Sequence, residues 1–527
     1  MISCIFFFTA GLAFLPHLGV EDDEALFAEG IYTPRSELYS IRIGQSDAPI
    51  MLMSYVGALK SWIYEPIFGF FGAGVLTLRV PMLLAGTGSV WLFYLLLRRV
   101  AGQRAAVIGC VLLAVDSSYL LTALFDWGPV ALQHLLLLGG TFMLVRFYQQ
   151  RGHSDLAWGF FLLGLALWDK ALAVWLLSGM GIAAILTVPR QILAVATRRR
   201  VAIAVMSFVV GALPLLIYNA TNHWVTFRGN FRREPGGIAA KAPVLLATAT
   251  GQGLFGYLTD EDWQTPEPHR PAGILETVSA RISALAGHPR RDLLPYALAL
   301  AVLLALVARG NDLRAILFAL ITAAVAWVQM AITVSTGGSV HHTILLWPLP
   351  QVVVAVSLAS ASRRSGRAGI PALAAVLAVS LISSALVMGE YHAMMVRNGG
   401  GQSWDDAIFR LSDRLKQIPA QNVLPLDWGI FDSLRLLNQG KLPLANGSDQ
   451  VTKPEMNAED REIADRMIAE PRNLYIAHTK AFEFFPGNSA KLLKYAAAAG
   501  YRREDVAVIP DSFGRPVYEL YRLAKAQ

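Results

Sequence analysis

Eleven apolar runs, separated by short charged turns, fix the fold class of this 527-residue chain more tightly than any motif in it. They lie at about 2–16, 74–97, 105–124, 128–148, 156–168, 171–188, 201–219, 293–308, 315–335, 342–361 and 370–389. A bilayer core offers no water to backbone amides, so a crossing segment must satisfy them within itself. Runs of about 17–25 apolar residues therefore read as transmembrane helices. The composition agrees: 54% of residues are hydrophobic and 16% charged, against about 25% charged in soluble domains. No basic stretch precedes the run 2–16 and no small-residue cleavage site follows it, which predicts a short first helix, not a cleaved signal. The two cysteines, Cys4 and Cys110, lie inside apolar runs and form no disulfide framework.

The arginines predict an orientation. Arg98, Arg99 and Arg104 follow the second run; Arg146 and Arg151 follow the fourth. Arg190 and Arg198-Arg199-Arg200 follow the sixth, Arg309 and Arg314 the eighth, and Arg363, Arg364 and Arg367 the tenth. Every alternate short loop is thus arginine-rich, which places those loops in the cytoplasm. The N-terminus is then cytoplasmic and the C-terminal tail outside. The net charge of +7 is distributed over these loops, so it is a topology signal and predicts no nucleic-acid partner.

Three regions are expected outside: a loop over 17–73, a second over 220–292, and the tail 390–527. The membrane domain then spans 1–389. The first loop predicts surface helices near 24–29 and 47–68, with the apolar stretch 49–56 in the membrane interface. The second predicts a short amphipathic piece near 244–257. The tail predicts a small α/β domain. Its strands are expected at 422–426, 473–478, 506–509 and 516–521, and its helices at 404–417, 457–469 and 489–499. About 135 residues suffice to bury a core.

The acidic cluster Glu21-Asp22-Asp23-Glu24 follows the first run directly. Carboxylates at a membrane boundary are functional candidates. Partial burial would raise a carboxyl into the range of a general base. The plainer reading is a solvated loop, with Asp22 or Asp23 capping the helix that starts at Ala25. Asp126, in Leu124-Phe125-Asp126-Trp127-Gly128-Pro129, is a second candidate, and it also suits a helix cap. His341-His342 offer hydrogen bonds to a phosphate. Adjacent helical positions diverge by about 100°, which is poor metal-ligand spacing. Lys170 is either half of a turn-solvating pair with Asp169 or a phosphate contact. Arg79 is either a snorkelling side chain or part of the site. Asp22, Asp23 and Asp126 supply hard oxygens that suit a divalent cation, though none is expected to be required. No phosphate-binding loop, dinucleotide fingerprint, paired Cys-x-x-Cys or zinc-protease motif is present, so nucleotide-driven and hydride chemistry have no support.

These residues resemble the GT-C class of membrane glycosyltransferases, in particular the group containing protein mannosyltransferases and the aminoarabinose transferase of lipid A. Asp23-Glu24-Ala25 with Ala28-Glu29 resembles its acidic signature after the first span. Leu78-Arg79-Val80-Pro81 resembles its Arg-Leu-Pro. Asp126 falls at its second loop aspartate, Gly164–Lys170 resembles its Gly-Leu-Ala…Lys stretch, and His341-His342 with Trp347-Pro348-Leu349-Pro350 resembles its basic-then-proline segment. The resemblance covers roughly 1–360. It implies an outward-facing polyprenyl-phosphate sugar as donor and an inverting transfer to a cell-envelope glycan, lipid or protein. Asp23 and Asp126 would be catalytic, Asp22, Glu24 and Arg79 would contact substrate, and Lys170, His341 and His342 would face the donor phosphate. One segment departs from the pattern. Where relatives carry Glu-Lys-Pro-Pro, this chain reads Ser46-Asp47-Ala48-Pro49, and Lys60 lies too far on to be an obvious replacement. A lipid-linked-sugar flippase that breaks no bond is the alternative. Such transporters show paired halves or broken helices near the midplane, and neither is visible in the sequence.

Overall fold

The computed structural model describes residues 1–33, 38–230, 232–261 and 265–526. Helices stand at all of the expected apolar runs. Among the described residues, six helices are long and apolar enough to cross a membrane: Val75–Val100, Ala131–Gln150, Arg198–Thr221, Gly310–Ala331, Val340–Arg364 and Gly369–Asn398. Two bent pairs raise the number to eight, and Ile2–Phe14, Gly237–Ala249 and Leu294–Ala305 are shorter apolar helices. The expected eleven spans thus become six to eight when length and composition alone are counted.

Both bends have local causes. Pro189 opens helix Pro189–Val195, which turns 98° from Ala173–Thr187; a proline cannot donate to the preceding turn. The second bend, 62°, separates Gln103–Ala114 from Ser117–Leu124. Asp116 sits in that break. Its Oδ1 accepts from the Tyr119 amide at 2.9 Å, and its Oδ2 accepts from Trp347 Nε1 at 2.7 Å and Gln351 Nε2 at 2.9 Å. A broken helix is tolerated inside a bundle only where its freed polar groups find such partners.

Burial sorts the helices into layers. Val340–Arg364 is 83% buried over its apolar window and forms the centre, whereas Arg198–Thr221 is 22% and Gly369–Asn398 17% buried. The latter two present their apolar surface to lipid. Arg198–Thr221 packs on His153–Asp169 through facing glycines: a Cβ on Gly164 would collide with the Phe208 carbonyl, and one on Gly211 with the Phe161 carbonyl. Small residues let helix backbones approach this closely where no hydrophobic drive separates protein from lipid.

The first outer segment departs from expectation. Residues 47–51 are strand, not helix. Tyr39–Ile43 pairs antiparallel with Ser46–Met51, and the two-residue turn between them holds Gly44 at φ 64°. That φ favours glycine, while Pro49 lies on a strand with only one neighbour, which needs no second ladder. Helix Leu59–Phe71 then returns. The expected helix near 24–29 is present as a run of short turns over 22–32. Its N-terminus is capped by Glu21, whose carboxylate accepts from the Glu24 amide at 2.9 Å, in place of Asp22 or Asp23.

In the tail, a four-stranded sheet runs in the order Val423–Pro425, Leu474–His478, Pro516–Lys525, Tyr501–Pro510, with the first pair parallel and the others antiparallel. Helices Ala407–Leu415, Ala458–Ala469 and Asn488–Ala498 lie at the expected places. Phe431–Leu437 was not foreseen, because seven residues give too few turns for a periodic signal.

Candidate active site

The ends of helices Val75–Val100, Ser117–Leu124, Ala131–Gln150 and His153–Asp169 and of the short helix Val340–Thr343 gather beneath the segment 19–32. The structure gives each of the four clustered acids a different task. Glu21 is a cap, as above; burial, then the charge of Asp23, pushes its carboxyl well above the usual range. Asp22 reaches across to the tail, where its Oδ1 accepts from the amides of Asp432 at 2.6 Å and Ser433 at 3.3 Å. It thereby supplies the cap that helix Phe431–Leu437 lacks from its own sequence. Glu24 forms a two-pronged ion pair with Arg79, at 2.8 and 2.9 Å.

Arg79 is fully buried. Its remaining donors go to the carbonyls of Leu15, Leu18 and Gly19, and its guanidinium lies 4.7 Å from the Phe125 ring centroid. All five guanidinium N–H groups are therefore taken. Arg79 and Glu24, expected at the substrate, spend these polar atoms on each other and on the chain leaving the first helix.

Asp23 is the exception. It is partly exposed, and no described residue hydrogen-bonds its carboxylate. Burial, reinforced by the charge of Asp22 and opposed by that of Lys170, pushes its carboxyl up to about 6.

Lys170 faces it. The lysine leaves its helix in an extended conformation because residues 55–57 pair with 169–171: Gly57 N donates to Asp169 O at 3.1 Å and Ala171 N to Tyr55 O at 2.9 Å. Among the described residues its Nζ makes only a long hydrogen bond, 3.4 Å, to the Gly128 carbonyl. Burial draws it down to about 8 against the pull of Asp126, Asp169 and Asp23. Gly128, at φ 65°, turns next to both Lys170 Nζ and His341. His341 Nδ1 accepts from Trp127 Nε1 at 2.7 Å, so the proton of the neutral ring sits on Nε2. The His342 ring lies 4.2 Å from that of His341, and its buried Nδ1 has no hydrogen-bond partner among the described residues.

Asp126 is a cap, as its position before Pro129 suggested: its Oδ1 accepts from Val130 and Ala131 amides at 2.7 and 2.9 Å. Its Oδ2 accepts from Lys60 at 2.9 Å, and the pair is nearly inaccessible. Lys60, set aside on sequence spacing, is thus at the site after all, 4.8 Å above the Phe27 ring. A signal for it exists in the sequence. The first 415 residues hold three lysines, Lys60, Lys170 and Lys241, against many arginines, and all three are buried. A buried lysine is a compact, adjustable point charge, which arginine is not. Trp127, Tyr257 and Trp404, also missed, form an aromatic wall with centroids 5.2–6.1 Å apart.

Asp22, Asp23 and Asp126 do not converge on a cation, because Asp22 and Asp126 are each committed elsewhere. Among the described residues, no group of three His, Cys, Asp or Glu side chains is placed to hold a metal ion.

Comparison with known proteins follows the same line. Residues 57–218 match the family described as dolichyl-phosphate-mannose-protein mannosyltransferase. That stretch contains Lys60, Arg79, Asp126 and Lys170. No curated protein matches the chain in sequence. Two crystal structures of ArnT from Cupriavidus metallidurans superpose on nearly the whole chain. The one bound to undecaprenyl phosphate covers 98% of this chain and 96% of its own at 14% identity and a TM-score of 0.57. The apo structure covers the same shares at 14% identity and a TM-score of 0.58. The chain shares the overall fold of these two structures, and six to eight of its described helices or helix pairs are long and apolar enough to cross a membrane.

Proposed function

We propose that the protein is an inverting glycosyltransferase that moves a sugar from a polyprenyl-phosphate donor to an acceptor at the outer face of the membrane. The single observation that carries this reading is Asp23: the one acid of its cluster left without a partner, beside an underused buried lysine. Its carboxylate takes the proton of an acceptor hydroxyl or amine as the acceptor atom attacks the anomeric carbon. The bond from that carbon to the phosphate oxygen breaks, and polyprenyl phosphate leaves with the electron pair. Lys170 and the Nε2–H of His341 face the departing phosphate, where charge develops. Asp126 and Lys60 fix the turn that carries Trp127 and Gly128. No metal is needed in this scheme. The loops and the tail lie outside and the N-terminus in the cytoplasm, as the arginine pattern requires, with eleven crossings when Ile2–Phe14, His153–Asp169 and Leu294–Ala305 are added to the six long helices and two bent pairs. The undecaprenyl phosphate of the ArnT structure supports the donor class.

The test is a discharge assay. Purified protein is given polyprenyl-phosphate sugars with and without membrane extract, and free polyprenyl phosphate and new conjugates are followed by mass spectrometry. Extract-dependent discharge supports the transferase. Specific donor binding without discharge of any donor would replace it with the flippase reading.

A further inference from the structure

The tail carries an ordered aromatic surface that no part of the proposed chemistry uses. The Trp428 and Phe484 ring centroids are 4.5 Å apart, and Phe484 and Phe485 stand at 86° to each other at 5.1 Å. Phe484 is 46% and Phe485 37% exposed. Open aromatic rings are unfavourable in water unless something covers them, and these are held in place deliberately. One carboxylate, Asp427, fixes all three backbones: its Oδ1 accepts from the amides of Trp428 and Phe485, each at 2.9 Å, and its Oδ2 from that of Phe484 at 2.8 Å. His478 completes the clamp at 2.9 Å from the same Oδ2. The loop is closed at Gly487, whose φ is 90° and whose amide donates to Glu483 at 3.0 Å.

The position is also informative. Trp428 follows strand Val423–Pro425 and Phe484 follows strand Leu474–His478, so the rings sit beyond the carboxyl ends of the two parallel strands. That is where open α/β sheets bind ligands. Asp432 lies four positions after Trp428, so their backbones lie within about 14 Å. The Asp432 amide is the one bonded to Asp22, next to Asp23.

We infer that Trp428, Phe484 and Phe485 form a platform for the saccharide portion of the acceptor, whose apolar C–H faces stack on the rings while its end reaches Asp23. This rests on the glycosyltransferase reading. It names a glycan-bearing acceptor as the substrate class. Charge argues against a membrane-seeking face. Such faces carry lysine and arginine beside their aromatics, whereas residues 427–431 and 479–489 contain only Asp427, Lys480 and Glu483 as charged groups.

The experiment uses the full chain in lipid nanodiscs, with neutral gluco-, manno- and galacto-hexasaccharides as probes, read by saturation-transfer NMR. Trp428→Ala, Phe484→Ala and Phe485→Ala leave the Asp427 bonds intact, since those bonds go to backbone amides. The expected result is transfer to sugar C–H protons, with binding weakened about tenfold by loss of one ring. The melting temperature and the binding of the polyprenyl-phosphate sugar donor are expected to stay at the wild-type level in all three variants. Absence of transfer from every probe, or equal transfer in the variants, overturns the platform. So does quenching of Trp428 by headgroup-labelled lipid that is lost in Trp428→Phe, which would make the face a membrane contact. Sugar binding at the platform with no donor discharge by the wild type would leave the platform standing and remove the transferase reading.

Discussion

Arg79→Ala is predicted to unfold the protein, and not merely to weaken substrate binding. The side chain is completely buried, and five hydrogen bonds converge on it. Its removal strands the Glu24 carboxylate, which is 1% exposed, without a cation. Breaking a buried ion pair from one side costs about 3–5 kcal/mol. The carbonyls of Leu15, Leu18 and Gly19 lose a donor as well, at about 1–3 kcal/mol for each that finds no replacement. Even the low ends of these ranges together approach about 6 kcal/mol, against a typical total stability of about 5–15 kcal/mol. Arg79→Lys is expected to recover little, because an ammonium cannot span the Glu24 fork and three carbonyls at once. The assay is size-exclusion chromatography of fluorescently tagged protein extracted in mild detergent, before and after heating. Loss of the monodisperse peak in both variants is the predicted outcome. A folded Arg79→Ala that melts within about 1 °C of wild type, a shift of roughly 1 kcal/mol for a chain of this length, would show that these bonds are not what holds the fold. If its KM for donor were also raised, Arg79 would belong to the substrate.

Other consequences can be checked separately. Transfer should show a bell-shaped pH dependence. Asp23 works as a base only when ionised, so activity rises through about pH 6; Lys170 loses its charge above about pH 8, so activity falls there. Lys170→Arg should push the alkaline limb upward, and a profile flat from about pH 5 to about pH 9 contradicts the pairing. Asp22→Ala should cost about 1–3 kcal/mol by freeing the Asp432 and Ser433 amides, read as faster hydrogen exchange over 431–437, with Asp22→Asn close to wild type; unchanged exchange in Asp22→Ala argues against the cap. Lys60→Met leaves Asp126 buried without its cation and should cost about 3–5 kcal/mol. Adding Asp126→Asn, which keeps the helix cap acceptor, should restore much of that in a thermal melt.

The helices were legible because the bilayer permits so little else: a long apolar run has one way to satisfy its backbone. The acidic cluster was legible as a candidate, and Asp126 as a cap, since both read from immediate neighbours. The division of labour within the cluster was not. Asp22 finds its partners 410 residues away at Asp432, and Arg79 finds Glu24 at a separation of 55; neither leaves a trace in local spacing. Distance along the chain sets Lys60 apart from the site, whereas the hairpin over 39–51 folds the following helix back and delivers it to Asp126. The hairpin itself was hidden by the apolar stretch after Pro49, which suits a helix or a buried strand equally well. Strands and helices of the tail followed their periodicity, except where seven residues were too few to show one.

Among the described residues, Asp23 alone of the four acids keeps its carboxylate free for chemistry. Single-turnover donor discharge in the presence of acceptor, measured for Asp23→Asn beside Asp22→Asn in folded protein matched by its melting curve, decides whether that carboxylate is the base. A loss of about 10²–10⁴-fold is expected for Asp23→Asn, with a rate within a few-fold of wild type for Asp22→Asn. Equal losses in both, or full activity in Asp23→Asn, would contradict that role.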